Sequence, residues 1–225
     1  MKPRLLIFAS GTKYGGGSGF ENLVNSVRKG QLHADIVGVV SNYENGGVRE
    51  KADRLDIPFY YDTGPWTAEK YQEITAKAGA DYFPLSGWMV KIKGLDLNTK
   101  FNSRTVFNIH PGPLPDFGGK GMHGHHVHKA VWAAYQRGEI IETAVTMHFV
   151  DELFDHGPIF FKLQIPIKGI GDAEELGGVV NHYEHLFQPI VTNMVVNGLI
   201  HWDGINTESL IIPKNYKIKY RPRGV

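Results

Sequence analysis

The chain is expected to fold as an α/β domain built on a doubly wound, mostly parallel Rossmann-like sheet with an antiparallel C-terminal extension. Three observations predict this. Short runs of branched apolar residues alternate with helix-like segments through the first half, which is the pattern of parallel strands covered by helices. A glycine-rich stretch directly follows the first of these runs, where a strand would hand over to a helix. Beyond Glu142 two longer apolar runs are separated only by a turn, which suits a hairpin extending the sheet.

Taken in order, strands are predicted over residues 5–9, 36–40, 57–61, 82–85 and 105–109. Helices are predicted over 20–28, 48–55, 67–78 and 125–137, each with apolar residues at helical spacing. The hairpin strands span 144–150 and 159–167, joined around Asp155-His156-Gly157-Pro158. Asp172 caps a helix running to 197, a short strand covers 199–202, and a basic, proline-containing tail follows. With 225 residues and no linker or repeat, one domain over 1–225 is expected.

Composition narrows the function. Lys and Arg number 24 against 23 Asp and Glu, a formal net charge of +1, so neither nucleic-acid wrapping nor membrane coating is suggested. The absence of cysteine excludes disulfides, thiolate nucleophiles and thiolate metal sites. The opening run at 5–9 is too short for a signal core, and no stretch reaches membrane-spanning length, so a cytoplasmic protein is expected.

Four segments carry chemistry. In Ser10-Gly11-Thr12-Lys13-Tyr14-Gly15-Gly16-Gly17-Ser18-Gly19, glycines let several N–H groups converge on an anion at a helix N-terminus. A flexible surface loop is the competing reading. Asn108-Ile109-His110-Pro111 ends the strand at 105–109, with Asn108 and His110 on one side by strand alternation. An imidazole moves protons near pH 7 and an amide N–H steadies an oxyanion, as acyl transfer requires; a buried, satisfied histidine would look the same. Asp155 lies in a turn and reads either as a local cap or, if that turn folds over Asn108, as the partner of His110. His123, His125, His126 and His128 lack a neighbouring carboxylate at ligand spacing, so a glycine-hinged substrate loop is expected there and no metal.

These residues add up to a resemblance. Asn108-Ile109-His110-Pro111 with Phe117-Gly118-Gly119-Lys120-Gly121, the block from His148 to Pro158, and Glu184-His185-Leu186-Phe187-Gln188-Pro189 are similar to the glycinamide ribonucleotide formyltransferases, within the folate-dependent formyltransferases. The resemblance spans residues 4 to about 200. It implies formyl transfer from the co-substrate 10-formyltetrahydrofolate to an amine in purine biosynthesis, with small-molecule partners only and no metal. It implies a catalytic trio of Asn108, His110 and Asp155. Substrate phosphate and ribose fall to Gly15, Gly16, Gly17, Ser18, Gly19, Asn181 and Glu184. Folate falls to Gly87, Trp88, Met89 and Val90 and to Val150, Asp151, Glu152, Leu153 and Phe154. The domain then divides into a ribonucleotide half, 1–100, a catalytic and folate half, 101–200, and a tail, 201–225. Two departures stand out. Residues 12–16 enlarge the phosphate loop, with Gly19 where the family commonly has asparagine, and Val90 replaces a frequent arginine, which turns attention to Lys91 or Lys93. Sugar N-formyltransferases and formyltetrahydrofolate deformylases are the neighbouring activities; a deformylase is expected to carry an N-terminal regulatory domain, and a methionyl-tRNA formyltransferase a C-terminal barrel. A phosphate-ligand sensor on the same fold is the non-enzymatic alternative.

Overall fold

The computed structural model describes residues 1–214, and the end of the basic tail lies outside the described residues. A seven-stranded sheet forms the frame: β1 (Arg4–Phe8), β2 (Asp35–Ser41), β3 (Phe59–Tyr61), β4 (Phe83–Ser86), β5 (Val106–His110), β6 (Glu142–Phe149) and β7 (Ile159–Pro166). Its order is β3-β2-β1-β4-β5-β6-β7, with β1 to β5 parallel and β6 and β7 antiparallel. Helices α1 (Ser18–Arg28), α2 (Gly47–Leu55), α3 (Ala68–Ala78), α4 (His125–Gln136) and α5 (Ala173–Val196) cover its faces.

Strand alternation divides the core. Leu5, Ile7 and Ala9 of the first strand segment pack on one face with apolar residues of α1, α2, α4 and α5. Leu6 and Phe8 face the other way, into an aromatic layer with Trp66, Tyr71, Trp88 and Phe101 that includes α3. Helix starts follow their capping residues. Thr67 Oγ1 accepts from Lys70 N at the head of α3, and Asp172 Oδ1 accepts from Glu174 N and Glu175 N at 2.9 and 2.8 Å at the head of α5. By contrast, α1 and α2 begin at glycines, Gly17 and Gly46, without a side-chain cap.

The chain winds outward from β1 to β3 and then returns to place β4 on the other side of β1. The resulting crevice at the carboxyl ends of β1 and β4 is where open α/β sheets receive ligands. The glycine loop leaves β1 there, and Ser10 N donates to Gly87 O while Ser10 Oγ accepts from Met89 N, tying the two exits together.

Two expected strands change. The run at 57–61 is a strand only over Phe59–Tyr61, because Ile57 N turns back to Ala52 O and closes α2, and Pro58 has no N–H. The strand expected at 199–202 is a single bridge between His201 and Ile211. Gly198 at φ 75° reverses the chain after α5, and Leu199 is exposed while Ile200 and Trp202 turn into the core.

Adjacent glycines in α5 give a paired stability test. A Cβ on Gly178 meets nothing, whereas one on Gly177 lies 2.9 Å from the His128 ring of α4. Gly178→Ala is expected to raise unfolding stability by about 1 kcal/mol through helix propensity, and Gly177→Ala to lower it by about 1 kcal/mol through overpacking. Denaturant unfolding of both variants checks the packing of α4 on α5; equal shifts would contradict it.

Candidate active site

Antiparallel pairing of β5 with β6 sets Asn108 directly across from His148 and His110 across from Thr146. All four side chains therefore share one face of the sheet at its carboxyl edge. Over that face folds the turn that carries Asp155, whose backbone is left-handed at φ 52°. This turn requires its glycine, since a Cβ at Gly157 would collide with the Phe149 carbonyl oxygen. Gly118 likewise lets the loop after β5 come up to Asp155, to which Gly119 N donates at 3.0 Å.

The turn thus does bring Asp155 to Asn108 and His110. Asn108 Nδ2 donates to Asp155 Oδ1 at 3.3 Å, and His110 Nδ1 lies 3.6 Å from the same oxygen. His110 is 2% exposed, and its Nε2 meets the Phe117 carbonyl at 2.8 Å. A carbonyl only accepts, so Nε2 carries a proton and Nδ1 is the nitrogen free to take or give one. Burial holds His110 below the usual histidine pKa; the Asp155 carboxylate and Phe117 carbonyl pull it back up. The neutral ring is the resting state near pH 7. Burial alone would raise the Asp155 pKa, but His148, His110 and Gly119 N–H together hold it below the usual carboxylate range. A charged acceptor, a neutral proton-accepting nitrogen and amide N–H donors are therefore gathered at one point.

His148 is the residue that sequence reasoning missed. It is 1% exposed, its Nε2 lies 3.2 Å from Asn108 Nδ2 and 3.7 Å from Asp155 Oδ1, and its Nδ1 meets the Phe149 carbonyl at 2.8 Å. The available signal was strand alternation from Met147 and Phe149, which point into the core and turn His148 to the opposite face.

A cleft opens from this cluster. Among the expected folate residues, Trp88, Val90, Val150, Asp151, Glu152, Leu153 and Phe154 line it, with Asn108 and Asp155 at its inner end. Leu85, Lys91, Ile92 and His148 line it too, while Gly87 and Met89 are instead bonded to Ser10. Trp88 turns its Nε1 inward to the Tyr71 hydroxyl at 3.0 Å. Glu152 joins the two walls: its carboxylate accepts from Gly94 N and Leu95 N at 2.7 and 3.3 Å.

On the far side of β4 lies the glycine loop. Thr12 and Gly15 close its enlarged part as a small hairpin, with Thr12 N donating to Gly15 O at 2.8 Å and Gly47 packed against Gly15. Gly19 packs closely on β4, where a Cβ would displace the Ser86 hydroxyl. Helix α5 runs beside α1, with Asn22 Nδ2 donating to His185 O at 2.7 Å, and so brings Glu184 beside the loop's helix. Glu184 is half-buried, and the enclosure of its carboxyl pushes the pKa up to about 7 against the pull of Asn181, whose Nδ2 lies 3.5 Å away.

Of the histidines in the expected substrate loop, His123, His125 and His126 stay together, with ring centroids 5.1 Å apart for His123 and His126 and 4.0 Å for His125 and His126, while His128 turns away from them. His125 is exposed, whereas His128 turns towards α5 and burial pushes its pKa down to about 4. Among the described residues no group of three or more His, Cys, Asp or Glu is placed to hold a metal ion, and no helix is long and apolar enough to cross a membrane.

A proton-transfer cluster at the inner end of a cleft, beside a glycine loop on a doubly wound sheet, defines a group-transfer enzyme scaffold. Residues 4–192 match the formyl transferase family, and the chain belongs to that family. It is 33% identical over 212 residues to the chloroplastic phosphoribosylglycinamide formyltransferase of Vigna unguiculata, covering 91% of this chain and 65% of that relative. The corresponding protein of Arabidopsis thaliana is 30% identical over 213 residues, with 91% and 70% covered. Among solved structures, glycinamide ribonucleotide transformylase 1 from Geobacillus kaustophilus is 28% identical at a TM-score of 0.72, with 87% of this chain and 100% of that chain covered. The chain therefore spans about two thirds of the length of the two plant relatives.

The raised pKa of Glu184 yields a stability prediction. A carboxyl that binds its proton more tightly when folded contributes most below the unfolded value of 4.5, and stability falls as pH rises from there to about 7. Glu184→Gln should therefore be more stable than the parent at pH 8 by about 1–3 kcal/mol. The gain should vanish near pH 4. Denaturant unfolding at both pH values checks this, and no gain at pH 8 would contradict the enclosure of the carboxyl.

Proposed function

We propose that the chain transfers the formyl group of 10-formyltetrahydrofolate to the primary amine of glycinamide ribonucleotide, a step of purine biosynthesis. The observation that carries this reading is the convergence of Asn108 and Asp155 in the lining of the cleft, with His110 buried behind Asp155, where a formyl carbon presented by a bound folate would meet an amine. Family membership and the names of the relatives support the formyl donor and the substrate.

In this reading the cleft wall at Trp88, Val90 and residues 150–154 receives the pterin, and Lys91 at the wall offers a cation to the folate tail. Gly15, Gly16, Gly17, Ser18 and Gly19 receive the phosphate at the uncapped start of α1. Glu184, with Asn181 beside it, accepts from the ribose hydroxyls once ionised. Two ligands held end to end across β4 make the reaction effectively intramolecular.

The amine nitrogen forms a bond to the formyl carbon, and the carbonyl electron pair moves onto oxygen. Asn108 turns an N–H from Asp155 to that oxyanion. The proton lost by the attacking nitrogen passes by way of Asp155 to Nδ1 of His110, which starts neutral because burial disfavours its charge. Negative charge on the adjacent oxygen raises the affinity of His110 for that proton, and Asp155 supports the imidazolium. The proton then moves to the folate nitrogen as the carbon–nitrogen bond to it breaks, leaving tetrahydrofolate and the formylated amide.

The direct test supplies purified chain with 10-formyltetrahydrofolate, with and without glycinamide ribonucleotide, and follows the absorbance of the deformylated folate. Release dependent on the amine, and persisting after exhaustive chelation, is expected. Release without the amine would mark a hydrolase, and loss on chelation restored by zinc would make the histidines at 123–128 a metal site. Asp155→Asn should lower turnover by about 10²- to 10⁴-fold. Because the carboxylate raises the His110 pKa, the same variant should titrate His110 at lower pH than the parent by NMR. Near-parental turnover or an upward shift would contradict the assigned roles.

A further inference from the structure

His148 is buried beside the proposed reacting groups, and the mechanism above assigns it nothing. Its ring chemistry can be worked out from its neighbours. Nδ1 faces the Phe149 carbonyl at 2.8 Å, and a carbonyl cannot donate, so Nδ1 carries the proton. In the neutral ring Nε2 is then a bare acceptor. Asn108 Nδ2 stands 3.2 Å from it and, as an amide nitrogen, donates. The second N–H of the same Nδ2 points to Asp155 Oδ1 at 3.3 Å. Turning the amide over would set Asn108 Oδ1 against the lone pair of Nε2 and against the carboxylate at once. The side chain is therefore held in one of its two orientations by two acceptors.

Those acceptors differ in what happens to them during the reaction. Asp155 is engaged by the moving proton and releases its Asn108 N–H to the oxyanion. His148 is not engaged: the Phe149 carbonyl fixes its tautomer, and the ring is 1% exposed on β6, directly across from Asn108. We propose that His148 is a positioning residue that, as its Nδ1–H tautomer, keeps one Asn108 N–H and so leaves the other as the single donor presented to the formyl oxygen. This rests on the formyl-transfer reading above. Without His148 the amide turns over freely once Asp155 is engaged and presents oxygen to oxygen in part of the encounters, which costs turnover rather than ligand binding.

The test measures kcat and both KM values for His148→Leu, His148→Gln, Asn108→Ala and the Asn108→Ala/His148→Leu pair. His148→Leu should lower kcat about 10- to 100-fold with KM values near the parent's, as loss of transition-state orientation requires. His148→Gln, which restores an acceptor oxygen, should recover a large part of that loss. In the Asn108→Ala background His148→Leu should cost nothing further, because its effect passes through Asn108. Ring ¹⁵N shifts of the parent should show His148 with Nδ1 protonated and Nε2 bare, a readout that needs no variant to fold. Additive losses, equal impairment of the Leu and Gln variants, parental turnover in His148→Leu, or a protonated Nε2 would each overturn the proposal. A parent that fails to transfer formyl to glycinamide ribonucleotide would overturn the functional reading instead, since the ring spectrum is recorded independently of turnover.

Discussion

The carboxylate of Asp155 is the point on which the site is hung. Asn108 Nδ2 from β5 donates to one of its oxygens and Gly119 N from the following loop to the other, while the rings of His110 and His148 close over Oδ1 at 3.6 and 3.7 Å and become positive partners only when protonated. A carboxylate so nearly buried is expensive unless its oxygens are occupied by donors or positive partners. One of those donors, Asn108, is also a group that the proposed chemistry uses. The same contacts that make Asp155 tolerable therefore assemble the cluster, and removing any one leaves the others mis-set.

Close backbone approach is the second constraint, and glycines meet it. Gly157 clears the Phe149 carbonyl so that the turn can place Asp155, and Gly118 clears both Leu114 and the Asp155 Cβ. In the glycine loop and beside it, Gly19 sits against Ser86, and Gly47 against Gly15. The enlarged part of the glycine loop closes on itself as the hairpin at 12–15. The aromatic layer of Phe8, Trp66, Tyr71 and Trp88 underlies the opposite wall of the cleft and keeps Trp88 turned inward.

Much of this was legible in the sequence for simple reasons. Alternating apolar runs and a capping residue such as Asp172 are local signals, so the strands and helices could be placed before any tertiary contact was known. Where a local breaker cut into an apolar run, periodicity alone misplaced the strand: Pro58 and the α2 closure shortened β3, and Gly198 left only a bridge where a strand was expected. Asn108 and His110 could be paired by alternation along one strand. Asp155 could not be brought to them by spacing, because the approach depends on a left-handed turn and two glycines far apart in the chain. His148 was hidden for a related reason: its importance lies in register between β5 and β6, which no single strand displays. Glu152 lines the cleft as expected, and its bonds to Gly94 N and Leu95 N, which join the two walls, were not legible because they cross between segments far apart in the chain.

A structure of the chain bound to glycinamide ribonucleotide and a folate analogue that cannot release its formyl equivalent tests the account most directly. The account predicts the phosphate at residues 15–19, the ribose diol at Glu184, and the pterin against Val90 and residues 150–154. It also predicts the amine and formyl carbon meeting beside Asn108, His110 and Asp155, with one Asn108 N–H moved from Asp155 to the formyl oxygen. A ribonucleotide seated away from the glycine loop, or an amine out of reach of Asp155, would contradict it.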